Sequence, residues 1–133
     1  TTISATFESA IAQVTEALKR EGMGILTEID VQAAFKKKLD KDFHRYTILG
    51  ACQPTIAYEM LQADPRAGVF YPCNVVVQEI SPNQIEIAAV DPLAMFLTIH
   101  SPRAKEIALE AHDMMQRVVH HLEAMQPEPA AVS

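Results

Sequence analysis

The fold of this chain is decided by NVVVQEISPNQIEIAAV, residues 74–90. The β-branched run at 75–77 predicts a central strand buried on both faces. Ser81-Pro82-Asn83 predicts a turn, and the alternation of Ile85, Ile87 and Ala89 with polar neighbours predicts a half-buried partner strand. The segment is therefore a β-hairpin, and no other strand pair of the sequence has so short a connection.

On the N-terminal side of the hairpin, helices and strands alternate. Strands are predicted over residues 1–5, 24–29 and 43–51. Three helices follow them, capped by Thr6, by Asp30 and by Cys52 or Gln53, because polar side chains satisfy the first free N–H groups of a helix. The second of these helices ends at residue 39, and we expect Val31, Ala34 and Phe35 on its inner face.

On the C-terminal side, Asp91-Pro92 starts a short helical turn and Ser101-Pro102 opens the last helix. That helix carries an apolar stripe at helical spacing: Ile107, Ala111, Met114, Val118, Leu122 and Met125. Residues 1–125 are predicted to form a single domain, and 126–133 a loose C-terminal tail. The order of elements predicts an α+β fold with one mixed or antiparallel sheet and helices mainly on one face.

Composition narrows the functional class. The chain has 133 residues, a net charge of −6 and a pI near 5.3, so it lacks the basic surface of a nucleic-acid-binding protein. Lys36-Lys37-Lys38 is interpreted as a solvated helix end. No apolar stretch reaches the roughly 20 residues of a membrane span. The cytoplasm is the default compartment, although the first residue is Thr1 rather than Met, which leaves a removed leader as an alternative.

The most informative residues for chemistry are the two cysteines. Cys52 lies at a predicted strand-to-helix junction, where the positive end of the helix favours thiolate. Cys73 directly precedes the most apolar strand. The alternative for each is an inert, packed thiol. If their sulfurs approach, the pair could form a redox disulfide or hold a soft metal such as Cu(I), while zinc would need additional His or carboxylate ligands.

The remaining polar residues give weaker signals. Asp30, Asp64 and Asp91 are explained as caps of helices and turns. Glu28 lies at a strand end beside a cap, where it could face the same end of the sheet as Cys52 and act as a base. The alternative, which we favour, is a structural role. The histidines form no recognised ligand pattern, so we interpret them as a solvated helix surface: His44, His100, His112, His120 and His121.

Four motifs occur together and in order: GILTEID at 24–30, YTILGACQP at 46–54, YPCNVVV at 71–77 and VDP at 90–92. With them the chain closely resembles the family catalogued as domain of unknown function 302. The resemblance implies a two-layer α+β sandwich related to the TATA-binding-protein-like fold, commonly found as a homodimer, without implying DNA binding or a reaction. The chain departs from the family pattern at Gln53, often Asn, and at Tyr71, often Leu.

Three functions follow from these residues. The first is a small, homodimeric binding module for a small molecule or a soft metal, copper(I) or zinc, at a pocket formed by Cys52, Pro54, Pro72, Cys73, Asn74 and Glu28. The second is a thiol-based redox or nucleophilic enzyme, with Cys52 attacking and Cys73 as the resolving thiol. The third is a non-catalytic interaction domain. The motifs cluster at element junctions rather than in the core, which favours the first.

Overall fold

A computed structural model describes residues 1–95 and 101–126 of the chain. The strands are β1 (Thr2–Ser4), β2 (Gly24–Asp30), β3 (Tyr46–Cys52), β4 (Cys73–Ser81) and β5 (Gln84–Ala89). The helices are α1 (Phe7–Arg20), α2 (Val31–Leu39), α3 (Pro54–Ala63), α4 (Pro92–Met95) and α5 (Pro102–Ala124). A 3₁₀ segment, Pro65–Phe70, follows α3.

The strands form one five-stranded sheet in the order β1-β5-β4-β3-β2. Every pairing in it is antiparallel, so the predicted α+β fold is confirmed and the mixed form of the sheet is not the one adopted. The 74–90 hairpin forms β4 and β5, and β4 is the central strand. Because β1 and β2 lie at opposite edges, α1 has to cross the sheet diagonally between them.

The main core lies on one face of the sheet, under α1 and α5. Leu49 of β3, Val75 and Val77 of β4 and Ile87 of β5 pack there against both helices. Val76 points to the other face and is only half-buried, so the prediction of a strand buried on both faces is wrong. The physical reason is that the helices that build the core are layered on a single face.

A second, smaller core lies beyond the first, where α3 and the 3₁₀ segment pack against α5. Its buried members are Ile56, Met60, Ala67, Ala104, Ile107, Ala108 and Ala111. Small alanines on α5 let the neighbouring backbone approach closely, and the larger Ile56 and Met60 fill the space between. This core fixes the start of α3, and with it the end of β3.

Polar caps define the helix starts as predicted. Thr6 Oγ1 accepts the Ser9 N–H at 3.1 Å and Asp30 Oδ1 accepts the Ala33 N–H at 2.9 Å. Ser101 Oγ accepts the N–H of Ala104 at 3.3 Å. At α3 the cap is Gln53 rather than Cys52, since its Oε1 accepts the N–H of Ile56 at 2.7 Å. Each bond satisfies an N–H that the helix itself cannot pair.

The predicted inner face of α2 is only partly buried. None of the residues of α2 is buried, and Phe35 remains 36% exposed. Its ring instead meets Phe43 edge-on, with 5.2 Å between centroids. Phe43 precedes β3, which starts at Tyr46 rather than at residue 43. Val31 and Ala34 are half-buried where α2 contacts β3, so the apolar side of the helix is only partly covered.

In the part of the chain that the structure describes, no helix is both long enough and apolar enough to cross a membrane. Gln126 Oε1 accepts the N–H of Ser4 at 3.0 Å, which ties the end of α5 to β1. His100 and residues 127–133 of the predicted tail lie outside the described residues.

Replacing Leu49 by Ala is expected to lower the free energy of unfolding by about 2–5 kcal/mol, because the fully buried side chain would leave a cavity. Leu26→Ala is the matched control, since Leu26 is 67% exposed on β2, and its effect should stay within about 0.5 kcal/mol. Urea unfolding measures both. Equal effects of the two substitutions would contradict the placement of the core.

Candidate functional site

The register of β3 against β4 brings the two cysteines together. Cys73 pairs with Ala51, and Cys52 is the next residue of β3. From the spacing of paired strands and of residues along a strand, their Cα atoms are about 6 Å apart. The end of the third strand and the start of the fourth therefore meet at one place. Both cysteines are free thiols.

A close contact between Gly50 and Pro72 explains why residue 50 is a glycine. Gly50 pairs with Asn74 in the ladder, and the Pro72 ring lies directly over it. A Cβ on Gly50 would come within 2.6 Å of Pro72 Cγ and would also collide with Thr27 Oγ1 on β2. Glycine is therefore required here by close approach. The contact joins the two cysteine motifs, LGACQP and YPCN.

Above this junction lies a small hollow of about 20 Å³ between the sheet end, α3 and α5. By volume it accommodates about one water molecule or one ion. Both cysteines border it. The lining consists of Met23, Ala51, Cys52, Gln53, Ile56, Tyr71, Cys73, Ala111, Met114 and Met115.

Burial controls the protonation of both thiols. Desolvation raises the pKa of Cys73 to about 11, and the neighbouring Cys52 adds to the increase. Desolvation also raises the pKa of Cys52, which is only partly buried. The direction is opposite to the predicted effect of the α3 N-terminus. At neutral pH both groups are thiols rather than thiolates, and neither is an activated nucleophile.

The other predicted site residues are more dispersed. Pro54 occupies the first turn of α3, and Pro72 packs on Gly50. Asn74 is exposed, and its carbonyl accepts the N–H of Val90 at 3.1 Å. These three flank the thiols without lining the hollow.

Glu28 is not brought to the thiols. It pairs with Leu49, whereas Gly24 is the residue of β2 that pairs with Cys52. Four residues along a strand correspond to about 13 Å. The carboxylate is exposed to solvent at the edge of the sheet. The structure offers no contact through which Glu28 could act on Cys52.

Sequence reasoning missed the methionines of the hollow. In the sequence Met114 is only one member of the apolar stripe of the last helix, and no motif indicates Met23 or Met115. Met23 directly precedes Gly24, and Gly24 pairs with Cys52. The proximity of Met23 to the thiols can be inferred only once that pairing is known. Distant pairing of that kind is not encoded in local spacing.

A second polar feature joins α4 to α5. Asp91 Oδ1 accepts the N–H of Leu93 at 2.9 Å, as the predicted cap should, and also lies 2.8 Å from His112 Nδ1. The hydrogen bond with His112 holds the pKa of Asp91 below its usual value. His112 and His120 border an open cleft of about 220 Å³ beside this pair. His112 therefore has a partner, unlike the solvated histidine that was predicted.

Gly50→Ala is expected to reduce the free energy of unfolding by about 1–3 kcal/mol, because the added methyl group overlaps the Pro72 ring. Gly24→Ala is the control: it lies on β2 beside Cys52, and no atom comes within 4 Å of its Cβ position. Chemical denaturation of both variants checks this. A fully stable Gly50→Ala protein would show that the two motifs do not pack as described.

The raised thiol pKa values predict slow alkylation at pH 7. For Cys52 the rate with iodoacetamide should increase with pH and reach half its maximum above the ordinary thiol value of about 9. The reason for the sign is that burial disfavours the charged form, which is the reactive one. The same protein unfolded in urea serves as control. Native Cys52 reacting faster at pH 7 than the unfolded chain would contradict the assignment.

Comparisons with known proteins place the chain in a family. No curated protein matches it. A solved structure from Bacillus stearothermophilus, described as an uncharacterized conserved protein DUF302, is similar at 27% sequence identity and a TM-score of 0.79. The similarity covers 92% of this chain and 93% of that one. The family model for Domain of unknown function DUF302 matches residues 1–122. The chain therefore belongs to the DUF302 family.

Proposed function

We propose that this protein is a small binding domain that holds a soft metal ion, Cu(I) or Zn(II), between Cys52 and Cys73. One observation carries the proposal: thiols from two adjacent strands border the same small hollow. Thiolate sulfur is the protein ligand that soft metals prefer.

The size of the hollow favours an ion over a larger ligand. Its volume is about 20 Å³, whereas sites for organic ligands commonly measure about 300–1,000 Å³. A single ion needs no more room than a water molecule. The hollow is also lined by apolar groups such as Ile56 and Ala111, which would exclude water from a bound ion.

The protonation of the thiols is compatible with metal binding. A metal displaces the thiol protons, and its charge offsets the cost of burying thiolate. The ten-residue helix α3 begins just after Cys52, and the positive end of its dipole stabilises the thiolate form of that residue. In the empty protein, by contrast, burial keeps Cys73 neutral. The site would therefore gain its negative charge only when a cation enters.

The alternative function is a thiol-based redox enzyme. Its support is that Cys52 is partly exposed and Cys73 is buried, as an attacking and a resolving thiol would be. Cys52 would attack a disulfide substrate and release one thiol, and Cys73 would then displace the second. The raised pKa values oppose the first step. Successive strand residues point to opposite faces, so the Cα–Cβ bonds of these diagonal neighbours diverge. This geometry bears equally on a disulfide and on a shared ion, so it does not separate the two functions.

The homodimer stays a prediction. What supports it is a set of exposed apolar side chains on and beside β2 and α2: Leu26, Ile29, Phe35, Leu39 and Phe43. Exposed apolar groups in such number on one region of a monomer are typical of a surface that meets a partner.

Metal loading tests the proposal. We expect the reduced protein, loaded anaerobically with Cu(I) or Zn(II) and then desalted, to retain about one metal ion per chain of at least one of them. Cys52→Ala and Cys73→Ala should each lose it. Circular dichroism and thermal unfolding of the two variants verify that they remain folded.

Two results would contradict this function. The first is wild-type protein that retains no more of either metal than the Cys52→Ala/Cys73→Ala double variant. The second is formation of an intramolecular disulfide, seen as a loss of two hydrogens by mass after treatment with glutathione disulfide, in protein that retains no metal. That combination would establish the redox alternative instead.

A further inference from the structure

Sulfur dominates the lining of the hollow. Five of its ten lining residues carry sulfur: the two cysteines together with Met23, Met114 and Met115. The whole chain has two cysteines and six methionines, so most of its sulfur is gathered at this one place. By contrast, Met60 is buried in the second core, away from the hollow.

Met23 is positioned by the turn between α1 and β2. Gly22 adopts a left-handed conformation with φ of 76°, and the N–H of Met23 donates to Leu18 O at 3.0 Å. The next residue, Gly24, pairs with Cys52. The turn therefore delivers the thioether to the side of Cys52, where it is only 6% exposed.

Met114 and Met115 come from the opposite side, on α5. Met115 is 4% exposed and belongs to the main core, while Met114 is half-buried and packs against both cores. The hollow thus lies between a sheet end that carries thiols and a helix that carries thioethers. The α1–β2 turn closes it on a third side.

The described residues that line the hollow include no imidazole and no carboxylate. Among residues 1–95 and 101–126, no group of three or more His, Cys, Asp or Glu could hold a metal. The Gln53 side-chain oxygen is already engaged by the N–H of Ile56. Zinc in proteins takes four ligands from thiolate, imidazole and carboxylate, and only two such groups are present here. Thioethers are neutral and soft, and they suit Cu(I).

We infer that one or two of the thioethers of Met23, Met114 and Met115 complete the two-thiolate site and make it selective for Cu(I) over Zn(II). This inference rests on the proposed metal-binding function. Binding would balance as one Cu(I) ion and two thiols giving one Cu–dithiolate centre and two released protons. The thioethers coordinate without releasing a proton, so they strengthen binding while leaving the proton count unchanged.

Competition with a Cu(I) chelator of known affinity tests the inference. The variants are Met23→Leu, Met114→Leu and Met115→Leu, because Leu keeps the bulk and removes the sulfur. Each ligand lost should weaken Cu(I) binding by about tenfold or more. Met60→Leu is the control: Met60 is buried, as Met23 and Met115 are, but it does not line the hollow, so this variant should bind as wild type does. Wild type should also bind Cu(I) more tightly than Zn(II).

A readout that needs no substitution accompanies the variants. In protein labelled with selenomethionine and loaded with Cu(I), X-ray absorption at the selenium edge should show copper as a direct neighbour. This measurement remains decisive if a methionine variant loses stability. It also separates ligation from simple packing, because a methionine that only fills space has no copper neighbour.

The outcomes separate the inference from the function on which it rests. The inference is overturned if the three Leu variants bind Cu(I) as tightly as wild type and X-ray absorption finds no copper next to selenium. The methionines would then be packing groups, although the thiol site would stand. Tighter binding of Zn(II) than of Cu(I) would overturn it as well. If wild type binds neither Cu(I) nor Zn(II) beyond the double cysteine variant, the proposed function itself fails.

Discussion

The packing of the Pro72 ring on Gly50 is the constraint on which the rest of the site depends. It allows the chain entering β4 to lie flat against β3, and the ladder from Tyr46–Gln78 to Ala51–Cys73 follows from there. A one-residue slip would turn every side chain of β4 to the other face and put Val75 and Val77 in solvent. The hydrophobic core and the cysteine pair are therefore specified by the same register.

That register also explains the chemistry of the thiols. It places them at the end of the sheet beside α3 and α5, where desolvation outweighs the favourable end of α3 and keeps them protonated. Protonated, buried thiols are poor nucleophiles, yet they become strong ligands once a cation replaces their protons. The same geometry is therefore compatible with an inert pair and with the metal site proposed above. The surrounding methionines leave that charge balance unchanged, since a thioether carries no charge.

Much of the architecture was predictable because its signals are local. The 74–90 hairpin follows from alternation and turn residues, and the caps at Thr6, Asp30 and Ser101 follow from side-chain chemistry. The proximity of Cys52 to Cys73 was not predictable. The pairing of β3 with β4 joins segments about twenty residues apart in sequence, and local residue spacing does not determine the register of such a pairing. The predicted position of Glu28 near Cys52 depended in the same way on the register of β2 against β3, which local spacing does not determine. The exposed side of α2 shows that periodicity predicts a helix without predicting what covers it.

The most direct test of the account is a nuclear Overhauser measurement across β3 and β4 in the reduced protein. The account predicts cross-peaks between the Gly50 α-protons and the Pro72 ring, and between the α-protons or amides of Ala51 and Cys73. Cross-peaks that pair Cys73 with Gly50 instead of Ala51, or no contact between Gly50 and Pro72, would contradict the register. The thiols would then no longer share one hollow.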